Sequence, residues 1–571
     1  MRGMLCRWNL REPGSGAGNL LDRLLAARGH ADPEAQKAFL EAAKDQLDPP
    51  DRLPGVTEAT TRILAALKQG ERIAIYGDYD VDGVTSTAIL MRTLRAIEPT
   101  VQVESYIPHR LDEGYGLNVE ALESLHASGV DLVITVDCGV AAANEIARAN
   151  EIGLELIITD HHPLGELPLP KVAAVVHPGL PGSVYEWPIL SGSAVAWKLS
   201  RHLLSQHEGT DSPGPRTREL LQNTLCMAGM GVIADVVPLV GENRRIAAKA
   251  LHLMKRCSLA GVQAMLIECL KKGETPDSET VGFRIGPRLN AAGRLGHAQV
   301  ALDLLMTDDM IEAKEIAARL TVLNKQRQEL AKKIEEEACR MAEAAGMVGD
   351  EIRMIVLAEE SWHPGVVGIV ASRLVERYGR PVVLLGSADK GVYRGSGRSI
   401  DGFSLHDAVQ VCQEHLISGG GHAMAAGMTL RAESIDAMRE ALVCYANAQL
   451  KPADLIRAIT IDCEATLEEL TLPLVRSLQQ MQPFGRSNES PTILLRGVRV
   501  QEAKPFGDGS HVRVGFEGSR SRGVWFRPRD PSELLEMLPR KATIDVVVEP
   551  KLNEWRGVTS VDLHIKDLVR R

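Results

Sequence analysis

From about residue 55 to residue 300, short apolar runs alternate with longer stretches of helical periodicity, which predicts an α/β fold. Residues 73–76, 131–136 and 155–159 read as buried strands, with a helix at 57–69 before the first and another at 84–97 after it. Ahead of these, Leu20, Leu21, Leu24 and Leu25 sit at helical spacing, and residues 33–43 read as a second helix with Pro33 at its start. Residues 1–54 are therefore expected to form a helical preface, ended by Pro49-Pro50. The longest periodic stretch is 311–345, with Ile316, Leu320, Leu323, Leu330, Ile334, Ala338 and Met341 on one stripe. As a helix it would span about 50 Å. The stripe is thin and Arg327 interrupts it, which suits a bridge between two domains better than a coiled coil. A second α/β unit follows from Arg353, with strands at 354–357 and 381–385 and a helix at 366–378. After Ala458 the pattern turns to short strands at 459–462, 492–495, 511–514, 523–526, 544–548 and 560–565, which suits a small barrel of the OB type. The expected division is 1–54, a first α/β domain at 55–310, a linker helix at 311–349, a second α/β domain at 350–455 and the barrel at 456–571.

Composition narrows the class. A chain of 571 residues with 44% hydrophobic content can build several cores. Nine cysteines without a CxxC spacing read as reduced thiols rather than a disulfide framework or a zinc cluster. The first residues lack the apolar core of a signal peptide, and the longest apolar candidate, 225–240, is broken by Asp235 and Pro238. A soluble cytoplasmic protein is expected, with no membrane partner. The net charge of −10 argues against nucleic acid only at face value, because it says little about one cleft. In the barrel, basic and aromatic residues interleave: Arg513, Phe516, Arg520, Arg522, Trp525, Phe526, Arg527, Arg529, Trp555 and Arg556. That pattern suits a single strand whose bases stack on rings; a barrel with an ordinary basic face is the plain alternative.

The candidate chemistry lies at strand ends. Asp78, Asp80 and Asp82 follow the first strand, flanked by Gly77 and Gly83; Asp137-Cys138-Gly139 follows the second; Asp160-His161-His162 follows the third. Like charges this close are unfavourable when buried unless a cation sits among them, although a solvated turn fits the first stretch equally well. Open α/β sheets bind ligands outside the carboxyl ends of their strands, so three such endings converge on one crevice. Asp235 is a lone carboxylate in an apolar stretch and reads as a further metal ligand; a helix cap or a pair with Arg244 is the alternative. Residues 106–117 read as a polar loop near the crevice, with Arg110. Residues 283–297 offer arginines and Asn290 to phosphate or to ordinary ion pairs. The glycine-rich runs 391–399 and 419–427 could cradle an anion or form hairpins.

Taken together, the motifs resemble the DHH phosphoesterases, and within them the single-strand-specific 5′→3′ exonucleases. The resemblance covers almost the whole chain: Gly77-Asp-Tyr-Asp-Val-Asp-Gly83, Val136-Asp-Cys-Gly139, Asp160-His-His162, Ala234-Asp-Val-Val-Pro-Leu239, residues 282–296, Trp362-His-Pro-Gly365, Gly420-Gly-His-Ala423 and Leu552-Asn-Glu-Trp555. It implies two α/β domains, DHH and DHHA1, joined by the long helix and followed by an OB-type barrel. It implies Asp80, Asp82, Asp137, His161 and Asp235 as ligands of two Mn²⁺ or Mg²⁺ ions, with Asp137 bridging. His162 would face the scissile phosphate, with Asp160 and Asp78 as outer groups of the catalytic set. Arg110, Arg294, Ser396 and Arg398 would hold substrate phosphates, and His422 would face the cleft. Two positions depart from the family pattern: Ser487 and Glu489 replace Gly and Pro in Pro483-Phe-Gly-Arg-Ser-Asn-Glu489, and His177-Pro178 stands where Asn-Pro is usual. Hard carboxylate and imidazole ligands suit these ions better than thiolate-held zinc, and two ions could clamp an in-line displacement. DNA repair and recombination, a single-strand-binding protein and a RecQ-type helicase as partners, and a monomeric state follow from the resemblance alone. Two rival readings are a DHH phosphodiesterase for short oligonucleotides or cyclic dinucleotides, which has no use for a basic barrel, and a catalytically silent DNA-binding scaffold, which would be expected to lose ligands.

Overall fold

Five strands lie side by side in the order Val103–Tyr106, Ile73–Gly77, Leu132–Val136, Glu155–Thr159 and Ala174–Val176, every neighbouring pair parallel. Ile73–Gly77 and Leu132–Val136 are buried throughout, as unbroken apolar strands covered on both faces must be. The register is flush: Gly77 pairs with Val136 and Val136 with Thr159. Asp78, Asp137 and Asp160, each the next residue along, therefore leave the sheet at one level. The helix expected at 84–97 begins earlier, at Val81, because Asp80 caps it: its carboxylate accepts from Asp82 N at 2.8 Å and Gly83 N at 3.1 Å. That places Asp82 in the first helical turn, pointing back over the sheet edge.

A computed structural model describes residues 2–12, 18–164, 171–528, 530–555 and 557–571. The chain groups into two compact units. The first, built on this parallel sheet, comprises residues 41–328 together with 482–489; the second comprises 1–40, 329–481 and 490–571. The boundary falls within a single helix, Met310–Ala344. Its buried line shares Leu320, Ile334 and Ala338 with the stripe read from the apolar residues, but Ile316, Leu323, Leu330 and Met341 are only half-buried. It runs through Ala313, Ala317, Leu320, Asn324, Arg327, Ala331, Ile334 and Ala338. Arg327 is part of this line and donates to Asn324 Oδ1 at 2.8 Å.

The second unit holds two sheets. One has the order Ser418–Gly421, Ala425–Arg431, Val392–Arg398, Val382–Asp389, Ile355–Glu359. Both glycine-rich runs thus belong to antiparallel hairpins: 392–398 pairs with the strand before it, and 419–427 spans the turn between two paired strands. The other sheet, Cys463–Ala465, Ile493–Phe506, His511–Phe516, Arg522–Phe526, Val558–Arg570 and Thr543–Trp555, closes through pairing of its second and last members into a barrel. Strand alternation divides the aromatics: Phe516 and Trp525 fill the barrel core, while Phe526 and Trp555 are exposed. Arg513 stacks over Phe506 at 4.8 Å, and Arg520, Arg522 and Arg527 are exposed. Arg529 and Arg556 lie outside the described residues. Both helices expected in residues 1–54 are present, at Leu20–Ala27 and Pro33–Leu40, but the segment is not a separate preface. A strand, Arg7–Leu10, pairs in parallel with Ala458–Ile461, and the Trp8 indole donates to the buried carboxylate of Asp567 at 2.8 Å. Residues 41–54 belong to the first unit instead. Among the described residues no helix is long and apolar enough to cross a membrane, and all nine cysteines are free.

Candidate metal centre

At the carboxyl edge of the parallel sheet the expected ligands meet. His161 Nε2 lies 3.0 Å from Asp137 Oδ1, 3.6 Å from Asp235 Oδ2 and 3.9 Å from Asp82 Oδ2. Three overlapping groups have ligand atoms all within 4.8 Å of one another: Asp137, His161 and His162; Asp82, His161 and Asp235; and Asp78, Asp80 and Asp137. Asp137 is shared by two of them and His161 by two. Asp235 ends the helix Pro215–Ala234, so it reaches the sheet edge from a separate element.

The backbone is bent to achieve this. Asp137 has a left-handed φ of 63° and Val236, next to Asp235, one of 60°. For a β-branched residue such a φ is an outlier, and strain of this kind gathers at functional sites. Supporting contacts come from residues that the strand-end pattern does not flag. The N-terminus of the helix Gly192–Glu208 donates Gly192 N to Asp82 Oδ2 at 2.6 Å and Ser193 N to Asp82 Oδ1 at 3.0 Å. Asp160 accepts from Val140 N at 2.9 Å and from His161 N at 2.7 Å, and meets His162 Nδ1 at 2.8 Å. The Tyr115 hydroxyl reaches the Asp137 carbonyl at 3.1 Å and His162 Nδ1 at 2.9 Å. His177, at the departure from the family pattern, meets the His162 carbonyl at 2.8 Å through Nε2. Leu190-Ser191-Gly192-Ser193 did carry a signal, a serine cap opening a helix, but nothing local says which carboxylate its amides serve.

The electrostatics are those of a site built around cations. Burial, with Asp80 next in size, pushes Asp78 up to about 8; burial and then Asp80 push Asp82 up to about 6. Burial and the neighbouring carboxylates raise Asp137 and Asp235 far above the ordinary carboxylate range. Burial, reinforced by His162, lowers His161 to about 4, so its imidazole is neutral near pH 7. His162 moves the other way: the hydrogen bond and charge of Asp160 outweigh burial and raise it. Asp160 itself stays ionised at about 2, the two histidines and its hydrogen bonds outweighing its burial. Asp137 Oδ1, Asp78 Oδ1 and His161 Nε2 are buried and make no hydrogen bond. Lone pairs that face one another out of water repel, and such orphaned atoms are costly. Divalent cations among them would remove both penalties, so the donor set fits hard ions.

The expected phosphate-binding residues divide between the units. Arg110 lies over the Tyr79 ring at 4.6 Å in the first unit, where Arg294 occupies the last turn of the helix Gly286–Leu295. Ser396 and Arg398 lie on the strand Val392–Arg398 of the second unit, with Arg398 Nη1 donating to Ser396 Oγ at 2.8 Å. His422 sits exposed between the strands Ser418–Gly421 and Ala425–Arg431 of the same unit.

Comparison with known proteins places this geometry. Models of the DHH family N-terminal domain, the DHHA1 domain and the RecJ OB domain match residues 72–230, 351–447 and 461–567. The single-stranded-DNA-specific exonuclease RecJ of Bacillus subtilis is 39% identical over 96% of this chain and 67% of its own length. That of Escherichia coli is 32% identical over 96% of this chain and 95% of its own. The crystal structure of Thermus thermophilus RecJ in complex with Mn²⁺ matches 99% of this chain and 80% of that one, with a TM-score of 0.81 and 31% identity; its Mg²⁺ complex gives 0.74 and 30% over 99% and 78%. Similarity across 96% of this chain, all three domain types in order and the shared structure establish that the chain belongs to the RecJ family of DHH phosphoesterases.

Proposed function

We propose that this protein is a single-stranded-DNA-specific exonuclease that hydrolyses phosphodiester bonds from the 5′ end with two Mn²⁺ or Mg²⁺ ions. The observation that carries the chemistry is the convergence of Asp82, Asp137, His161 and Asp235 on one point, with His161 Nε2 and Asp137 Oδ1 buried and without hydrogen bonds. Its membership of the RecJ family supports the substrate class.

Asp80, Asp82, Asp137, His161 and Asp235 would hold the ions. When bound, these supply Lewis-acid charge to the phosphoryl oxygens and to an attacking water. The protein's own groups prepare that chemistry. Two helix-terminal amides orient Asp82. Burial keeps His161 neutral, which leaves a ring nitrogen to serve as a ligand. Asp160 holds His162 through Nδ1 and favours its cationic form, in which the other nitrogen can donate to negative charge growing on the phosphoryl oxygens. Arg110 and Arg294 would hold phosphates of the strand; Ser396 and Arg398 would hold its 5′-terminal phosphate. The exposed Phe526 and Trp555, with Arg513, Arg522 and Arg527, support single-strand binding by the barrel.

DNA repair and recombination, in the cytoplasm with a single-strand-binding protein and a RecQ-type helicase, is the cellular setting this reading implies. The decisive experiment digests end-labelled single strands and duplexes, blocking each polarity in turn, with and without Mn²⁺. Metal-dependent release of mononucleotides from free 5′ ends of single strands alone is expected, and it should vanish in Asp137→Ala. Release from 3′ ends, or equal digestion of duplex, would overturn the reading.

A further inference from the structure

Residues 482–489 group with the catalytic unit although the residues on either side belong to the other. They are pinned there at several points. The buried guanidinium of Arg244 donates to the Gln482 carbonyl at 3.0 Å and to the Pro483 carbonyl at 3.2 Å. Asn488, also buried, donates its side-chain amide to the Pro483 carbonyl at 2.7 Å and exchanges backbone hydrogen bonds with Gly485. Leu239 N donates to the Arg486 carbonyl at 2.8 Å. Gly485 packs so tightly on Leu239 that a Cβ would lie 2.7 Å from Leu239 Cδ1. Leu239 is four residues beyond Asp235 and three beyond Val236, the residue with the left-handed φ.

Arg486 therefore has a backbone fixed against Leu239, four residues along the chain from Asp235, while its side chain is exposed. Among the described residues its guanidinium makes no hydrogen bond or close ion pair. Its charge is nonetheless felt by Asp235. A planar guanidinium with free donors, held on a rigid loop beside a crevice that takes a phosphodiester, suits a phosphate oxygen pair. An arginine held only to offset carboxylate charge would be expected to pair with one.

We propose that Arg486 is a substrate-phosphate contact, presented by residues 482–489 beside Asp235, that holds a strand phosphate next to the one being cleaved. This rests on the exonuclease reading and adds a binding residue to the same site. The test uses the full chain and a 5′-phosphorylated oligothymidylate, comparing the parent with Arg486→Ala and Arg486→Lys. Steady-state kinetics in Mn²⁺ are measured across a salt series, with Mn²⁺ affinity read by electron paramagnetic resonance. For Arg486→Ala, KM should rise about tenfold with kcat within about twofold, as for one lost charged hydrogen bond. The plot of log kcat/KM against log salt should become shallower by about 0.7, the contribution of one phosphate contact on a single strand. Mn²⁺ affinity should not change, and Arg486→Lys should restore the slope. Unchanged KM and slope overturn the proposal. So does a shift in Mn²⁺ affinity that travels with kcat, since Arg486 would then act through Asp235. If Arg486→Ala does not fold, Arg486→Gln makes the same comparison. A parent without single-strand exonuclease activity sinks the underlying reading; an active parent matched by Arg486→Ala sinks this assignment alone.

Discussion

At the scale of single residues, the site depends on the space left by glycines as much as on the ligands themselves. A Cβ on Gly231 would lie 2.2 Å from Asp82 Oδ1 and 2.1 Å from Ser193 Oγ, and one on Gly192 would lie 2.6 Å from Asp137 Oδ1. Gly231→Ala is therefore expected to lower kcat/KM by about 10²-fold, because a displacement of about 1 Å at a catalytic group costs that much. Its far-ultraviolet circular dichroism should match the parent, and near-parent activity would refute the packing argument. Ser487 makes the opposite case. It adopts a φ of 63° where the family pattern has glycine, a conformation that costs a non-glycine residue about 1–2 kcal/mol. Ser487→Gly should stabilise the fold by roughly 0.5 kcal/mol once the extra entropy of the unfolded glycine is subtracted. A thermal midpoint that falls on this substitution would count against strain at Ser487. Ser487 stands out in the sequence only as a departure from the family pattern and Gly231 not at all; the backbone φ and the packed neighbours show why each matters.

At the scale of elements, strands and long helices were legible, while pairings between distant segments were not. The three site-bearing strands stand where their apolar runs predict, and the helix expected at 311–345 is Met310–Ala344. The strand Arg7–Leu10 was missed because its partner, Ala458–Ile461, is about 450 residues away. The glycine-rich runs left an anion cradle and a hairpin open because glycine is rare in strands; antiparallel sheet neighbours decide for the hairpin. The barrel carries a charge pattern with a consequence of its own. Glu549 is buried between Lys551 and Lys566, at 2.8 and 2.7 Å. Burial alone would raise its pKa, but Lys566 and Lys551 outweigh it and hold it at about 2. A carboxyl held low in the folded state contributes stability that is fully present above its unfolded pKa of about 4.3 and lost as pH falls towards 2. Glu549→Gln should thus cost up to about 3 kcal/mol near pH 7, and the gap in thermal midpoint to the parent should narrow between pH 5 and pH 3. A gap independent of pH would show that packing, and not charge, accounts for the loss.

At the scale of the whole molecule, the proposed chemistry and the proposed end recognition reside in different units. The metal-type ligands lie within residues 41–328, whereas Ser396 and Arg398 lie within 329–481. Their effects should be separable. Arg398→Ala is expected to reduce the preference for 5′-phosphorylated over 5′-hydroxyl strands by about tenfold, the loss of one or two charged hydrogen bonds, while Mn²⁺ affinity stays at the parent's value. Equal rates on both kinds of end in the unaltered protein would remove the basis for this assignment. The apolar runs and the acidic and imidazole clusters at their ends were sufficient, as sequence, to specify the parallel sheet and the residue types that meet at its edge. Backbone periodicity is a local property, and a strand's end is where the next side chain must emerge. Which amides orient Asp82, which hydroxyl reaches His162, where Arg486 stands and that residues 1–40 join the C-terminal half were decided only by the folded chain. Those contacts join segments far apart in sequence, and their geometry is set by packing that no local pattern encodes.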